Sequence, residues 1–304
     1  MYNLIFVIIL LLFPFVSFAQ DNFFELGAAY LYRENNLAVD DKNERINDYS
    51  KPDDGFGKIV PIVNFNYNID NLYIKSSPLS SVGGGIQAGV NIPDFLYSDT
   101  SIYISYSLPK KVWKDPYELN TERSRTYRDS YGMGLKLSEI AGSKFSYEAK
   151  LEIDDVRSDV AGRRYDELER DGYVVSQRLY RKIGLNENVL LNFGVAYDKG
   201  IYKGDANSYN KFRLLGGLIF NKKEYSARMM YSLGYSKYDE DHPIFGDTRE
   251  DVSSSVIFSV RKNKIMGNEN VFARIYCGLG GNFSNIDFYE SRYGLLGMSV
   301  GYSF

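Results

Sequence analysis

The sequence contains very few of the residues that catalytic and metal sites most often use. Its 304 residues include one Cys, one His and one Trp. The single cysteine, Cys277, cannot form an internal disulfide, and one histidine cannot supply a zinc-binding cluster. A Ser-His hydrolase would have to use His242. We therefore expect no metal, no cofactor and no enzymatic activity. A hydrolase centred on His242 is the minor alternative to a solvated loop histidine.

Strong charge and long hydrophobic runs are also lacking. The formal net charge is −3, so no basic surface is available for nucleic acid, and we expect no nucleic-acid partner. Beyond the first 20 residues, no apolar run reaches the 18 or more residues of a typical membrane-spanning helix. The composition therefore argues against both a nucleic-acid-binding protein and a helical membrane protein.

The N-terminal residues have the pattern of an export signal. An apolar segment runs from Leu4 to Val16, and the small-residue site Ser17-Phe18-Ala19 follows it. The segment of about 13 residues is shorter than the ~20 that a spanning helix needs. We therefore predict a signal peptide over residues 1–19 and a single exported domain over residues 20–304. An uncleaved membrane anchor is the alternative.

Tyrosine, phenylalanine and glycine are abundant, and apolar residues recur with a period of two. There are 27 Tyr, 19 Phe and 27 Gly. In residues 144–154, KFSYEAKLEID, apolar side chains alternate with polar and charged ones, as in a strand with one apolar face. The same alternation predicts about fourteen strands, at 23–34, 59–69, 72–77, 83–92, 100–108, 128–137, 144–154, 172–182, 189–198, 209–220, 224–237, 251–261, 271–282 and 294–304. The segment 72–92 is short and interrupted, so twelve strands are the alternative.

The connections between these strands alternate between short turns and long, charged loops. The long ones lie near residues 35–58, 109–127, 155–171, 200–208, 239–250 and 284–293. Short turns on one side and long loops on the other are typical of outer-membrane barrels. The sequence thus predicts an all-β fold, a transmembrane antiparallel up-and-down β-barrel in the outer membrane of a Gram-negative bacterium. Its partners would be outer-membrane lipid and lipopolysaccharide, with Tyr and Phe at strand ends forming the interfacial girdle.

The last strand, GLLGMSVGYSF, alternates up to the final residue. A closed barrel satisfies every backbone group without a free edge, so we expect this strand to pair with the first. Tyr302 and Phe304 would lie on the lipid side, at the periplasmic interface, where the barrel assembly machinery could recognise them. Gly297, Ser299 and Gly301 would face the lumen, and inward small residues of this kind would leave room for water.

Charged residues at inward positions give the only indication of what the interior does. The candidate lumen residues are Glu148, Glu152, Arg178, Arg213, Arg228, Arg261 and Arg274. They could form ion pairs that fill the interior, or they could line a wet pore with a basic wall facing Glu148 and Glu152. The second possibility predicts a narrow passive channel, similar to a porin, for small hydrophilic solutes, including anionic ones. The alternative is a non-conducting surface barrel with a structural, adhesive or envelope-integrity role.

Two loop stretches differ from ordinary solvated loops. VWKDPY, residues 112–117, holds Trp113, and HPIFGDTRED, residues 242–251, holds Phe245. We predict that both rings are packing anchors of loops that fold back onto the rim or into the lumen. Residues 113–117, 243–249 and 284–289, with the terminal strand, resemble an uncharacterised family of bacterial outer-membrane barrels, domain of unknown function 2860. That resemblance implies a barrel in the outer membrane and no particular activity.

Overall fold

The computed structural model describes residues 22–52, 55–76 and 84–304. The predicted signal peptide, residues 1–19, lies outside these ranges. Fourteen strands account for most of the chain: β1 Phe23–Asn35, β2 Phe56–Ile69, β3 Leu72–Ser76, β4 Gly85–Phe95, β5 Ser98–Trp113, β6 Arg125–Ser138, β7 Phe145–Val156, β8 Gly172–Asn186, β9 Val189–Tyr202, β10 Tyr209–Lys222, β11 Tyr225–Asp241, β12 Thr248–Ile265, β13 Asn268–Ser284 and β14 Ser291–Ser303. Within the described ranges there is one short α-helix, α1, which spans Val160–Arg164.

The strands form a closed antiparallel barrel in which sequence neighbours pair and β1 pairs with β14. The closing ladder runs from Phe23 opposite Ser303 to Asn35 opposite Ser291. Beyond this ladder, the Phe304 amide donates to the Asn22 carbonyl oxygen at 3.0 Å. The predictions of a fourteen-stranded barrel and of a closing C-terminal strand are confirmed. β3 has only five residues, which explains why the sequence signal is weak there.

Alternation of side chains places an apolar surface on the outside of the barrel. Ile59, Ile104 and Met298 are 76%, 66% and 69% exposed, whereas Glu25 and Ser299 on the inner face are buried. This exposed apolar surface is far larger than the apolar patches on a water-soluble monomer. It matches the lipid-facing band of membrane barrels. The outward polar residue Gln177 accepts a hydrogen bond from the Tyr147 hydroxyl at 3.2 Å.

The two ends of the barrel differ. At one end, here called the turn end, strands are joined by tight connections such as Leu96-Tyr97 and Met266-Gly267, whose φ angles are all positive. Two successive positive φ values are the signature of a type I′ turn, whose twist matches that of the flanking strands. At the other end, here called the loop end, lie the six long loops that the sequence predicts.

Among the residues that the structure describes, no helix has the length and hydrophobicity needed to cross a bilayer.

Candidate functional site: the barrel lumen and its loop cap

The six long loops share one hydrophobic core, and we call this assembly the cap. Its buried residues are Tyr117, Ala161, Leu168, Ala206, Ile286, Phe288 and Tyr289, with Leu37, Ile46, Tyr49, Ile244 and Phe245 packed around them. These residues come from every long loop around the circumference of the barrel. Loops that start on all sides can meet in one cluster only by crossing the opening, so the cap covers the loop end.

Hydrogen bonds between loops fix the cap. The Tyr117 and Tyr289 hydroxyls share a bond of 2.7 Å, and the Tyr49 hydroxyl donates to the Tyr117 carbonyl oxygen at 2.8 Å. The Asn36 side-chain amide donates to the Phe288 carbonyl oxygen at 3.3 Å. Burial raises the pKa of Tyr117 to about 12, so its hydroxyl stays protonated at any physiological pH. These contacts join the first, second and sixth loops directly.

Trp113 lies where β5 ends, at the base of the cap. Its side chain is 1% exposed, and the Arg123 guanidinium lies 4.5 Å from the ring. Arg123 is equally buried and donates to the carbonyl oxygens of Asn36, Pro116 and Asn43. The stacked pair therefore ties the second loop to the first. Phe245, the other predicted anchor, lies in the cap core with its ring centroid 5.6 Å from that of Phe288.

His242 is buried, and the expectation of a solvated loop histidine was wrong. The residue is 1% exposed, and its ring centroid lies 5.0 Å from that of Tyr117 and 4.5 Å from that of Phe245. Its Nδ1 accepts from the Ile244 amide at 3.2 Å, while the buried Nε2 has no partner among the described residues. Burial, helped by the charge of Arg249, lowers the pKa of His242 to about 4. A neutral imidazole is thus part of the cap core.

Beneath the cap, the part of the lumen formed by described residues includes three cavities lined by polar and charged side chains. The β3 cavity, about 450 Å³, lies at the turn end against β2 to β7 and includes Glu148. The β8 cavity, about 410 Å³, lies against β6 to β10 and includes Glu152, Arg178 and Arg213. The β12 cavity, about 580 Å³, lies at the turn end against β10 to β13 and β1, and it includes Lys223, Arg228, Met230, Ile257, Arg261 and Arg274.

The structure therefore distributes the seven candidate lumen residues over three cavities instead of two facing walls. Most of them pair along the wall with a neighbour. Arg178 lies 3.5 Å from Glu148, and Arg213 lies 2.8 Å from Asp198. Glu152 pairs with Lys150 on its own strand. Within the described ranges, no group of three His, Cys, Asp or Glu side chains is placed to hold a metal ion.

Glu25 is the most buried charge of the lumen. Its carboxylate is 2.9 Å from the Arg274 guanidinium and also accepts from the hydroxyls of Tyr276 and Ser299. The Tyr276 hydroxyl in turn accepts from the Asn64 side-chain amide at 3.2 Å. This network joins β1, β2, β13 and β14, the strands that close the barrel. It also neutralises Arg274.

Inward small residues do not leave the open space that the sequence suggests. A Cβ atom added to Gly301 would lie 2.2 Å from the Phe272 ring, and one added to Gly134 would lie 2.3 Å from the Tyr103 ring. A Cβ added to Gly297 would lie 2.7 Å from the Ala29 side chain. Rings on neighbouring strands thus fold over Gly134 and Gly301. The lumen is narrowed by these rings, and its water-accessible space lies elsewhere, beside the charged residues.

Sequence reasoning missed two features. It did not identify Asp198 as the partner of Arg213, because the pairing depends on the register of β9 with β10. It also missed Tyr117, Phe288 and Tyr289 as the centre of the cap. The clustering of aromatic residues within the loop segments was a usable signal, but their convergence is a tertiary fact.

The fold resembles several solved structures at low sequence identity. One is described as a bacterial polysaccharide outer membrane secretin, with 10% identity, a TM-score of 0.49, and coverage of 94% of this chain and 99% of that chain. A FadL homologue from Pseudomonas aeruginosa has 11% identity, a TM-score of 0.46, and coverage of 94% and 91%. The outer membrane channel DcaP of Acinetobacter baumannii has 11% identity, a TM-score of 0.43, and coverage of 96% and 100%.

No curated protein matches the sequence. The family described as "Protein of unknown function (DUF2860)" matches residues 21–303. The resemblance seen in the loop motifs and the terminal strand is therefore confirmed, and the chain belongs to this family.

Proposed function

We propose that this protein is an outer-membrane barrel that lets small hydrophilic solutes, including anionic ones, pass through a narrow lumen controlled by the cap. The supporting observation is that inner-face side chains below the cap are accessible to solvent. Arg228 and Met230 lie on its inner face, yet Arg228 is exposed and Met230 is 56% exposed. A barrel filled by its own side chains, as eight-stranded barrels are, would bury these residues.

The orientation follows from the two ends of the barrel. Short turns face the periplasm and long loops face the outside in barrels of this type. The turn end, with its two cavities, would then be the periplasmic vestibule, and the cap would be the outer gate. The lipid-facing belt would contact outer-membrane lipid and lipopolysaccharide, and Tyr302 and Phe304 would be available to the assembly machinery.

One observation favours a second candidate function. The cap has a buried hydrophobic core of its own, in which Leu168 and Phe288 are fully buried. A permanent cap would make the protein a non-conducting surface barrel that presents its loops for adhesion or envelope integrity. A hydrolase centred on His242 is not favoured, because its ring is surrounded by Tyr117, Phe245 and Tyr289 and its Nδ1 is used by a backbone amide.

Planar-bilayer recordings separate the two functions. We expect brief, small openings from the native protein and longer openings from the double variant Tyr117→Ala with Tyr289→Ala, whose cap core is loosened. The matched control is Tyr197→Ala with Phe212→Ala, which removes two contacting rings, with centroids 4.9 Å apart, from the outer face. Closed traces from the folded native protein and from the folded cap variant, at all voltages, would refute the channel.

Ion selectivity tests the lumen residues themselves. Exchange of Arg213 and Arg228 for Glu removes two positive charges and adds two negative ones on adjacent strands of the inner face. We expect the reversal potential in a salt gradient to shift toward cation preference. An unchanged reversal potential in a conducting variant would contradict the assignment of these residues to the permeation path.

A further inference from the structure

The β8 cavity keeps an excess of positive charge after its ion pairs are taken into account. Five basic and three acidic side chains belong to its described lining. Three pairs account for most of these charges: Lys150 with Glu152, Arg213 with Asp198, and Arg178 with Glu148. Arg128 and Lys211 then remain in the described lining against one carboxylate, that of Asp154. The cavity therefore favours an anionic solute over a cationic one.

Arg128 is the cation of this cavity best placed to receive an anion. It lies directly opposite Lys110 in the β5–β6 ladder, and like charges in this position are destabilising. The charges of Glu152 and Asp154 act on Lys110 through space, but neither Arg128 nor Lys110 forms an ion pair with another described residue. The Arg128 Nε is buried without a hydrogen-bond partner among the same residues. An anion bound to this guanidinium would offset the repulsion and give its donors an acceptor.

Two tyrosine rings form the wall of the same cavity. Tyr202 ends β9 and Tyr209 begins β10, so both rings lie at the loop end, directly beneath the cap. Their centroids are 6.4 Å apart, with an angle of 29° between the planes. A Cβ atom added to Gly200 would lie 2.5 Å from the Tyr209 ring, and one added to Gly172 would lie 2.7 Å from the Tyr202 ring. A ring that rests on a glycine has one face against the wall, so its other face is turned toward the lumen.

Asp154 adds a hydrogen-bond acceptor beside these rings. Its carboxylate accepts from the Tyr202 hydroxyl at 3.0 Å and from the Ser130 hydroxyl. A carboxylate offers about four lone-pair sites, so it can accept further hydrogen bonds. A simple anion would be repelled by Asp154, whereas a ligand that carries hydroxyl groups can donate to it. The cavity thus matches a solute that combines negative charge, an apolar face and hydroxyl groups.

We propose that the β8 cavity binds a sugar acid, a pyranose that bears a carboxylate. The carboxylate pairs with Arg128, whose planar fork of donors fits its two oxygens. The C–H face of the sugar ring packs on Tyr202 and Tyr209, and a sugar hydroxyl donates to Asp154. The cavity volume of about 410 Å³ lies in the range of small-molecule sites. The proposal rests on the proposed function for the route of entry, because a solute reaches this cavity only through the lumen.

Saturation-transfer NMR on the full-length protein in zwitterionic micelles tests the site directly. The probes are glucuronate, glucose, which has the ring without the charge, and acetate, which has the charge without the ring. We expect glucose to bind at least about tenfold more weakly than glucuronate, because the charge-assisted hydrogen bonds are lost. Acetate should also be about tenfold weaker, because it cannot pack on the rings. Acetate or inorganic phosphate that binds as tightly as glucuronate would overturn the assignment to a sugar.

Charge at the site is tested with Arg128→Gln. This variant should lower the affinity for glucuronate by about tenfold or more and leave that for glucose unchanged. The matched control, Lys136→Gln, removes one positive charge from the β3 cavity and should have little effect. Equal losses in the two variants would overturn the proposal.

The ring contact is tested with Tyr209→Leu. This variant should weaken glucuronate about fivefold to tenfold and leave acetate unchanged, because only the sugar ring packs there. Tyr293→Leu is the matched control. The Tyr293 ring also lies over an inward glycine, with a Cβ atom added to Gly280 at 2.5 Å, but it is on β14, away from the β8 cavity. Equal weakening of glucuronate in the two variants would contradict stacking at Tyr209.

A closed cap cannot hide the site, because the same titration is made with the cap variant Tyr117→Ala with Tyr289→Ala. Absence of glucuronate binding to both folded proteins would overturn the proposal. The outcome is also independent of conductance. Binding in micelles without openings in bilayers would refute the channel and keep the site, and openings without glucuronate binding would do the reverse.

Discussion

The hydroxyl groups of Tyr117 and Tyr289 share a hydrogen bond of 2.7 Å although the residues are 172 positions apart in the chain. Tyr117 belongs to the loop after β5 and Tyr289 to the loop before β14. The bond therefore spans the mouth of the barrel, and both rings are buried in the cap core. The cap thus behaves as a small folded unit built on the rim, and its stability should be separable from that of the barrel wall.

Removal of either hydroxyl should weaken the cap. In Tyr117→Phe or Tyr289→Phe, the remaining hydroxyl is buried without its partner, at a cost of about 1–3 kcal/mol. The double variant removes both groups and should cost less than the sum of the single variants. Hydrogen exchange of the cap amides measures this directly. Additive effects in the three variants would contradict a direct bond.

Acid should open the cap through His242. When the cap opens, the pKa of His242 returns from about 4 to its usual 6.5, so the open form binds an extra proton as the pH falls. Above pH 6.5 the closed cap keeps the full stability that the neutral His242 allows. As the pH falls from 6.5 to 4, the cap progressively loses the part of its stability that depends on this pKa difference. At about 1.4 kcal/mol per pH unit, the loss reaches about 3 kcal/mol.

The variant His242→Asn tests this dependence. An Asn oxygen can accept from the Ile244 amide in place of Nδ1, but it does not titrate. We compare the hydrogen-exchange rate of the cap amides with the intrinsic rate at each pH. As the pH is lowered from 6.5 to 4, we expect this ratio to rise in the native protein and to stay constant in the variant. Groups that face His242 from the other cap elements, Tyr117, Tyr289 and Arg249, do not change charge in this range. An equal acid response in both proteins would rule out His242 as its source.

Arg123 should control how well the first loop is protected from proteolysis. Arg123→Ala removes the guanidinium that stacks on Trp113 and leaves three carbonyl oxygens without their donor. A loss of about 2 kcal/mol would raise the fraction of open loop roughly thirtyfold. Tryptic cleavage after Lys42 or Arg45 should accelerate accordingly.

The control for this experiment is Arg125→Ala. Arg125 pairs with Asp41 at 2.5 Å and Glu44 at 3.3 Å on the surface of the same loop. Exposed pairs of this kind contribute about 0–1 kcal/mol. Comparable cleavage rates in the two variants would show that the buried contacts of Arg123 do not hold the loop.

Glu25→Ala should destabilise the closure of the barrel. It leaves the Arg274 guanidinium and the hydroxyls of Tyr276 and Ser299 without their shared acceptor. Breaking a buried pair by removing one partner costs about 3–5 kcal/mol. The temperature at which the folded, fast-migrating form disappears in detergent gels should fall. Glu152→Ala, in the solvent-accessible β8 cavity, is the control, and an equal fall there would contradict a special role for Glu25.

Local sequence determined the barrel. A period of two fixes which side chains point outward, because successive residues of a strand face opposite sides. The alternation in the closing strand therefore placed Met298 and Val300 outside and Ser299 inside, and the lengths of the connections identified the two ends. These are properties of neighbouring residues, so the sequence alone carries them.

Only the tertiary structure decided the interior. The partner of Arg213 is Asp198, set by strand register, and the partner of Arg274 is Glu25, 249 residues away. Likewise, His242 is buried because Tyr117 of the second loop and Tyr289 of the sixth loop pack against it, and the sequence around His242 does not show those contacts. Alternation assigns a side chain to the inner face, but whether it meets a ring, an ion pair or water there depends on strands and loops remote in sequence.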